Sequence, residues 1–279
     1  MIADEHGGGE SSDENIVGEI RAKANGIIAG TSVVDRLVVQ HFPDCTINWD
    51  VTEGEGVQSG EQVLKISGPA VQVLRCERIM LNILGRMSGI ATNTAAWVSQ
   101  AGDIGVACTR KTDWGLLDKW SVHVGGGLTH RLSRADALMI KENDLPALAP
   151  GIDEEDVAVA TAVSLIDMDS DAEFTVIEVR DSSQAVAAVK AWDSLQIERS
   201  GCEKIVLLLD NMGPSGCAEV HHILMQENLR AWCILEGSGG VVHEDLGQWI
   251  ESGVDLVSTS ALNRGVSPLD LSMKVVGGD

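Results

Sequence analysis

Positive charge is scarce in this chain. Its 279 residues carry 20 lysines and arginines against 42 aspartates and glutamates, a formal net charge of −22. A general nucleic-acid binder needs a basic face to neutralise phosphates, so this balance argues against that class. The same acidic excess suits a high-salt cytoplasm, where mutual repulsion is screened. Long apolar runs are also missing: stretches such as IVLLL at residues 205–209 are far too short to span a bilayer. The opening MIADEHGGGESSDEN lacks the basic, apolar pattern of a signal peptide. Residues 1–15 therefore read as a disordered acidic tail on a cytoplasmic protein. Cys45, Cys76, Cys108, Cys202, Cys217 and Cys233 form no Cys-x-x-Cys pair and no Cys/His metal spacing, so reduced, mostly buried thiols are expected. No Walker-type G-x-x-x-x-G-K occurs, and no G-x-G-x-x-G follows a strand, which leaves nucleotide hydrolysis and NAD-linked hydride transfer unsupported. Tyrosine is absent altogether, beside seven tryptophans.

What is present is the composition of a globular protein, 44% hydrophobic and long enough to bury a large core. Residues 16–64 alternate apolar and polar positions in short stretches broken at Asn25-Gly26, Gly54, Gly56 and Gly60, with one helical stretch at residues 32–41. A long helix is predicted over residues 71–100, where Leu74, Leu81, Leu84, Ala91, Ala95 and Val98 recur at helical spacing and Gly102 is a natural stop. Beyond it, short apolar runs at residues 104–109, 137–141, 174–179, 204–210, 231–237 and 254–259 alternate with helical stretches. Repeated βα units of this kind imply a parallel sheet covered on both faces. The expected class is α/β: an incomplete, TIM-like α/β barrel over residues 103–267 and a smaller β-rich α+β domain over residues 16–102. Residues 268–279 are expected to pack back on that smaller domain.

Polar residues sit in one register on the predicted strands. Arg110 and Lys111 follow the first, Lys141 ends the second and Glu178 lies near the end of the third. Asp210 ends the fourth, Glu236 and the GSGG turn end the fifth, and Ser258, Thr259 and Ser260 end the sixth. In α/β barrels the carboxyl ends of the strands form the catalytic face. Residues 109–143 also gather Arg110, Lys111, His130, Arg131 and Lys141 around Gly125, Gly126 and Gly127, where a backbone without Cβ can approach a ligand closely. In so acidic a chain this concentration reads as a pocket for an anion, the alternative being a solvated surface run. Glu178 and Asp210 suit Mg²⁺ held partly through water, or a structural pairing with Lys111 or Lys141. Gly239, Gly240, Ser238 and the Ser258, Thr259, Ser260 turn offer N–H groups and hydroxyls to a phosphate.

Taken together, RCERIMLNILGRMSGIAT, the 109–143 segment, VIEV, LLLDNM, LEGSGGV and GVDLVSTSAL resemble quinolinate phosphoribosyltransferase, in collinear order over residues 16–275. The resemblance implies Mg²⁺-dependent transfer of a phosphoribosyl group from 5-phosphoribosyl-1-pyrophosphate to quinolinate with loss of CO₂, a step of NAD biosynthesis. It implies that Arg110, His130, Arg131 and Lys141 bind the quinolinate carboxylates. It places Arg78 at a partner subunit's site in a homodimer or dimer-based hexamer. Lys111, Glu178 and Asp210 would serve the phosphoribosyl and Mg²⁺ region, with Ser238, Gly239, Gly240, Ser258, Thr259 and Ser260 taking the 5′-phosphate. The chain departs from the family pattern at Asp113-Trp114-Gly115, where Thr-Pro-Gly is usual, at Thr129 for asparagine and at Arg180 for an acidic residue. The family's N-terminal Glu-Asp and Gly-Asp motif is missing. Two other classes are a related transferase acting on another aromatic acid, including the molybdenum-transport-associated paralogues, and a non-catalytic phosphosugar-binding module.

Overall fold

The computed structural model describes residues 14–132, 136–167 and 174–277. Of the tail expected at residues 1–15, residues 1–13 lie outside the described residues. In chain order, β1 (Asn15–Ala22), β2 (Gly26–Ile27), α1 (Thr31–His41), β3 (Thr46–Trp49), β4 (Gly56–Val57) and β5 (Gln62–Pro69) precede the long helix α2 (Ala70–Ala101). There follow β6 (Gly105–Cys108), α3 (Leu116–Val124), β7 (Ala137–Ile140), α4 (Leu145–Leu148), α5 (Glu155–Ser164), β8 (Phe174–Val179) and α6 (Ser182–Arg199). The chain continues through β9 (Ile205–Asp210), α7 (Gly213–Gln226), β10 (Cys233–Ser238), α8 (Leu246–Glu251), β11 (Leu256–Thr259) and β12 (Leu271–Gly277). It divides into two compact units: residues 1–93 with 266–279, and residues 94–265.

The first unit is built on an antiparallel sheet ordered β12-β1-β5-β3. Period-two alternation sends Ile20 and Ala22 of β1 inward with Leu64 and Ile66 of β5, all fully buried. Two helical stripes close this core: Val34 and Val38 of α1, and Val73, Cys76, Met80 and Leu84 of α2, spaced three or four residues apart. On the other face, hydrogen bonds from Arg21 and Lys65 hold the Glu19 carboxyl below the usual carboxylate range. The start of α1 takes its acceptor from a distant turn, because the N–H groups of Gly30 and Thr31 donate to the Glu53 carboxylate at 2.9 and 2.8 Å. Strand β12 returns to pair with β1, with Met273 opposite Ile20.

The second unit is a curled half-barrel of six parallel strands, ordered β6-β11-β10-β9-β8-β7. Strand β9 shows why it is parallel. IVLLL has no polar alternation, and Ile205, Leu207 and Leu209 on one face are fully buried while Val206 and Leu208 pack with Val176 on the other. Connecting helices carry their own punctuation: Asp181 caps α6 by accepting from the Gln184 N–H at 2.8 Å, and Ser200 ends it in the left-handed region at φ 57°. Register then decides the chemistry of the carboxyl edge. Asp210, Ser238 and Ser258 are cross-strand partners in one layer, and Glu178 and Glu236 both pair with Leu208 in the layer beneath. Among the described residues no helix is long and apolar enough to cross a membrane.

Candidate active site

At the carboxyl edge of the half-barrel lies a cavity of about 700 Å³. Ten of the sequence-predicted residues line it: Lys111, Lys141, Glu178, Asp210, Ser238, Gly239, Gly240, Ser258, Thr259 and Ser260. Lys141, one residue beyond β7, forms an ion pair with Glu178 on the neighbouring β8. Asp210 accepts a hydrogen bond from the Asn211 side chain at 2.8 Å. The glycine turn after β10 has a steric cause. Gly239 adopts φ 92°, and a Cβ there would lie 2.2 Å from Asn211 Oδ1. The hydroxyl of buried Thr259 donates to Val241 O and accepts from the Ala261 N–H, each at 3.1 Å, so it ties the two turns together.

A buried clasp holds the Lys111 loop to the turn after β11. Asn263, fully buried, donates to Lys111 O at 3.0 Å and to Asp118 Oδ2 at 3.3 Å. The same Asp118 oxygen accepts the N–H groups of Asp113 and Trp114 at 2.9 and 3.3 Å. Arg264, next to Asn263, lines the cavity with its Nε 3.9 Å from Asp113 Oδ1. Sequence reasoning passed over Asn211, Asp118, Asn263 and Arg264. Arg264 was marked by its place four residues after the Ser260 turn, whereas Asp118 and Asn263 look like ordinary surface polar residues until the tertiary fold brings them together.

Four expected binders lie elsewhere. Arg110 is exposed on the Lys111 loop but does not line the cavity, and Arg78 is exposed on α2 in the first unit. His130, half-buried, and Arg131, buried, are engaged within the second unit: His130 Nε2 lies 2.9 Å from Glu236 Oε2, and Arg131 Nη1 donates to Ala137 O at 3.3 Å. Beside them Lys119, buried, donates to Thr129 O and lies 3.6 Å from Cys108 Sγ. Burial pushes the Cys108 thiol above its ordinary pKa, and the Lys119 ammonium opposes that shift. The triple glycine does not line the cavity either. A Cβ on Gly127 would lie 2.7 Å from Thr94 and 2.8 Å from Val122 side-chain atoms, so glycine there permits internal packing and not approach to a ligand.

Among the described residues no cluster of three or more His, Cys, Asp and Glu side chains is arranged for a metal. Glu178 and Asp210 alone still fit Mg²⁺, which keeps several waters and commonly takes one or two carboxylates plus substrate phosphates. A zinc-type site of four protein ligands does not fit this donor set.

Half-barrel and cavity together define an α/β-barrel protein of the phosphosugar-binding kind, with glycine and serine turns, cations and carboxylates converging at the carboxyl ends of its strands. The chain belongs to the quinolinate phosphoribosyltransferase family: residues 90–274 match the model of that family's C-terminal domain and residues 10–88 match its N-terminal domain. It is 31% identical over 268 residues to a probable nicotinate-nucleotide pyrophosphorylase (carboxylating) of Methanothermobacter thermautotrophicus, covering 94% of this chain and 89% of the relative. It is 32% identical to the chloroplastic nicotinate-nucleotide pyrophosphorylase (carboxylating) of Oryza sativa subsp. japonica, over 91% of this chain and 68% of that protein. The crystal structure of NadC from Streptococcus pyogenes superimposes with a TM-score of 0.76 at 29% identity, covering 95% of this chain and 88% of that one.

Proposed function

We propose that this protein transfers the 5-phosphoribosyl group of 5-phosphoribosyl-1-pyrophosphate to quinolinate, releasing pyrophosphate and CO₂ and giving nicotinate mononucleotide for NAD biosynthesis. One observation carries the reading: a single cavity joins the glycine and serine turns at Ser238, Gly239, Gly240 and Ser258 to Glu178, Asp210, Lys111 and Lys141. The turns suit the 5′-phosphate, and Lys111 and Arg264, held near one another by the Asn263 clasp, suit the pyrophosphate. Bound Mg²⁺, held by Glu178 and Asp210, would neutralise the leaving pyrophosphate. As that group departs, positive charge develops on the ribose, and the carboxylates beneath it favour this charge. The ring nitrogen of quinolinate then bonds to the anomeric carbon. Its positive charge accepts the electron pair left by CO₂, and the ring carbon takes up a proton. Lys141 supplies positive charge for the acceptor's carboxylates from the cavity wall, whereas Arg110, on the exposed loop, and Arg131, buried beside β7, would need a side-chain shift to join it. Positioning and charge account for the reaction with no covalent nucleophile.

The same reading includes a cytoplasmic homodimer, or a hexamer built from three such dimers, in which Arg78 reaches the partner's site. Partly exposed Trp114, Leu116 and Trp120 lie on and just before α3, and such an apolar strip suits a subunit interface. Purified protein incubated with both substrates and Mg²⁺ should form CO₂ and the mononucleotide. Lys111→Ala and Asp210→Ala should each lower turnover at least about a hundredfold, the scale of losing one preorganised electrostatic group. Full activity in excess EDTA would remove Mg²⁺ from the proposal, and no mononucleotide under any condition would remove the reaction.

A further inference from the structure

Glu236 is a buried ionisable group that this mechanism leaves without work. Its side chain is 1% exposed on the interior face of β10, two residues before cavity-lining Ser238. Two residues along a strand span about 7 Å, so Glu236 lies in the layer directly beneath the cavity wall. Its Oε2 is 2.9 Å from His130 Nε2, and its Oε1 has no hydrogen-bond partner among the described residues.

The other imidazole nitrogen is also engaged. The backbone N–H of Arg131 points at His130 Nδ1, 2.8 Å away. A backbone N–H can only donate, so Nδ1 accepts and carries no proton. The ring proton is therefore on Nε2 and is given to Glu236. Both nitrogens are used within the protein, the ring packs edge-on against Phe174, and the His130 backbone is held in the left-handed region at φ 54°. For a residue with a Cβ that conformation costs free energy, and it persists only where surrounding contacts over-determine it.

We infer that Glu236 is a positioning residue, which fixes His130 as the neutral Nε2–H tautomer and through it the peptide from which the Arg131 side chain departs. This rests on the proposed transfer to quinolinate and changes how its acceptor pocket works. His130 brings neither a charge nor a free N–H to a substrate carboxylate, so recognition of a dicarboxylate falls to arginine and lysine. The buried carboxylate beneath an anion site is tolerated because its partner is a hydrogen-bond donor already in place.

The first measurement needs neither substrate nor a variant of Glu236. Long-range ¹H–¹⁵N NMR of the wild-type protein at neutral pH, with the His130 signals assigned by their loss in His130→Gln, reads the tautomer directly. A pyridine-type Nδ1 with a pyrrole-type Nε2 is expected; a proton on Nδ1, or an imidazolium, overturns the inference even if the enzyme is active. Kinetics then test the consequence. Glu236→Ala should raise KM for quinolinate on the order of tenfold, the scale of orphaning one buried donor, with little change in KM for phosphoribosyl pyrophosphate. Glu236→Gln, whose amide oxygen still accepts from Nε2–H, should restore most of that loss and keep the tautomer. A glutamine variant as impaired as the alanine one, or equal effects on both substrates, would show that charge or general packing is at stake and sink the positioning role. Absence of turnover in the wild type would count against the proposed reaction alone, since the tautomer is read independently.

Discussion

If Lys141 takes an acceptor carboxylate as proposed, a single side chain can be asked to discriminate between two acids. Nicotinate carries one carboxylate and quinolinate two, so a ligand lacking the second would leave a cation uncompensated in a desolvated site, at a cost of about 1–3 kcal/mol. Quinolinate should therefore be preferred over nicotinate by about a hundredfold in kcat/KM, taking 1.4 kcal/mol per factor of ten. Lys141→Ala should lose most of that preference by harming quinolinate, because Lys141 is the expected carboxylate binder that lines the cavity. Steady-state kinetics on both acids decide it, and equal efficiencies in the wild type would contradict a pocket built for a dicarboxylate. The cysteines offer a second check at this scale. Burial pushes the Cys76 thiol up to about 12 and those of Cys217 and Cys233 to about 11, whereas Cys202 is exposed. Raising a thiol's pKa lowers its thiolate fraction at neutral pH, and the thiolate is the nucleophile. A thiol reagent followed by peptide mass mapping should label Cys202 first, and Cys76, Cys217 and Cys233 only on unfolding; early labelling of Cys217 would mean that the β9–α7 packing opens readily.

The loop after β6 is the element on which the pocket depends most. It carries Arg110 and Lys111, yet its conformation is held by Asp118 on α3 and Asn263 beyond β11. Asp118 is 1% exposed and accepts from the Asp113 and Trp114 N–H groups and the Asn263 amide, so removing it takes away three hydrogen bonds at about 1 kcal/mol each. Asp118→Ala should therefore lower the melting temperature by several degrees and raise KM for phosphoribosyl pyrophosphate about tenfold. Asp118→Asn keeps an acceptor oxygen and should sit between wild type and alanine. Thermal unfolding with kinetics on the three proteins tests this, and an unchanged KM in the alanine variant would separate the clasp from substrate binding. The departure at Asp113 is accommodated through a backbone N–H that threonine would equally supply, whereas the Trp114 N–H bond to Asp118 is one that the proline usual at this position could not make.

For the whole molecule, the decisive question is whether one chain completes a site. Arg78 lies on α2 in the first unit, while the cavity belongs to the second. If Arg78 serves a partner's pocket, mixing inactive Arg78→Ala with inactive Lys141→Ala subunits should restore activity. Random pairing gives about half mixed dimers, each with one site free of both substitutions, so recovery approaching a quarter of wild-type activity is expected for C₂ dimers. Sedimentation of the mixture establishes subunit exchange, and no recovery after exchange would exclude sharing.

Periodicity and punctuation alone determined the elements and their class. Helix α2 was legible because its apolar stripe is long and Gly102 stops it, and the six parallel strands because runs such as IVLLL admit no solvent face. The glycine turn after β10 was legible too, since Gly239 needs a backbone conformation that few other residues adopt. Tertiary structure alone decided which polar residues share a cavity. It paired Lys141 with Glu178, drew Asn263 and Asp118 together across 145 positions, and bound both nitrogens of His130 into the interior. Local sequence pattern reports the face on which a side chain lies, because strand and helix periods are short-range properties. Which partner waits on that face depends on strand order and register, which are set by packing between segments far apart in the chain.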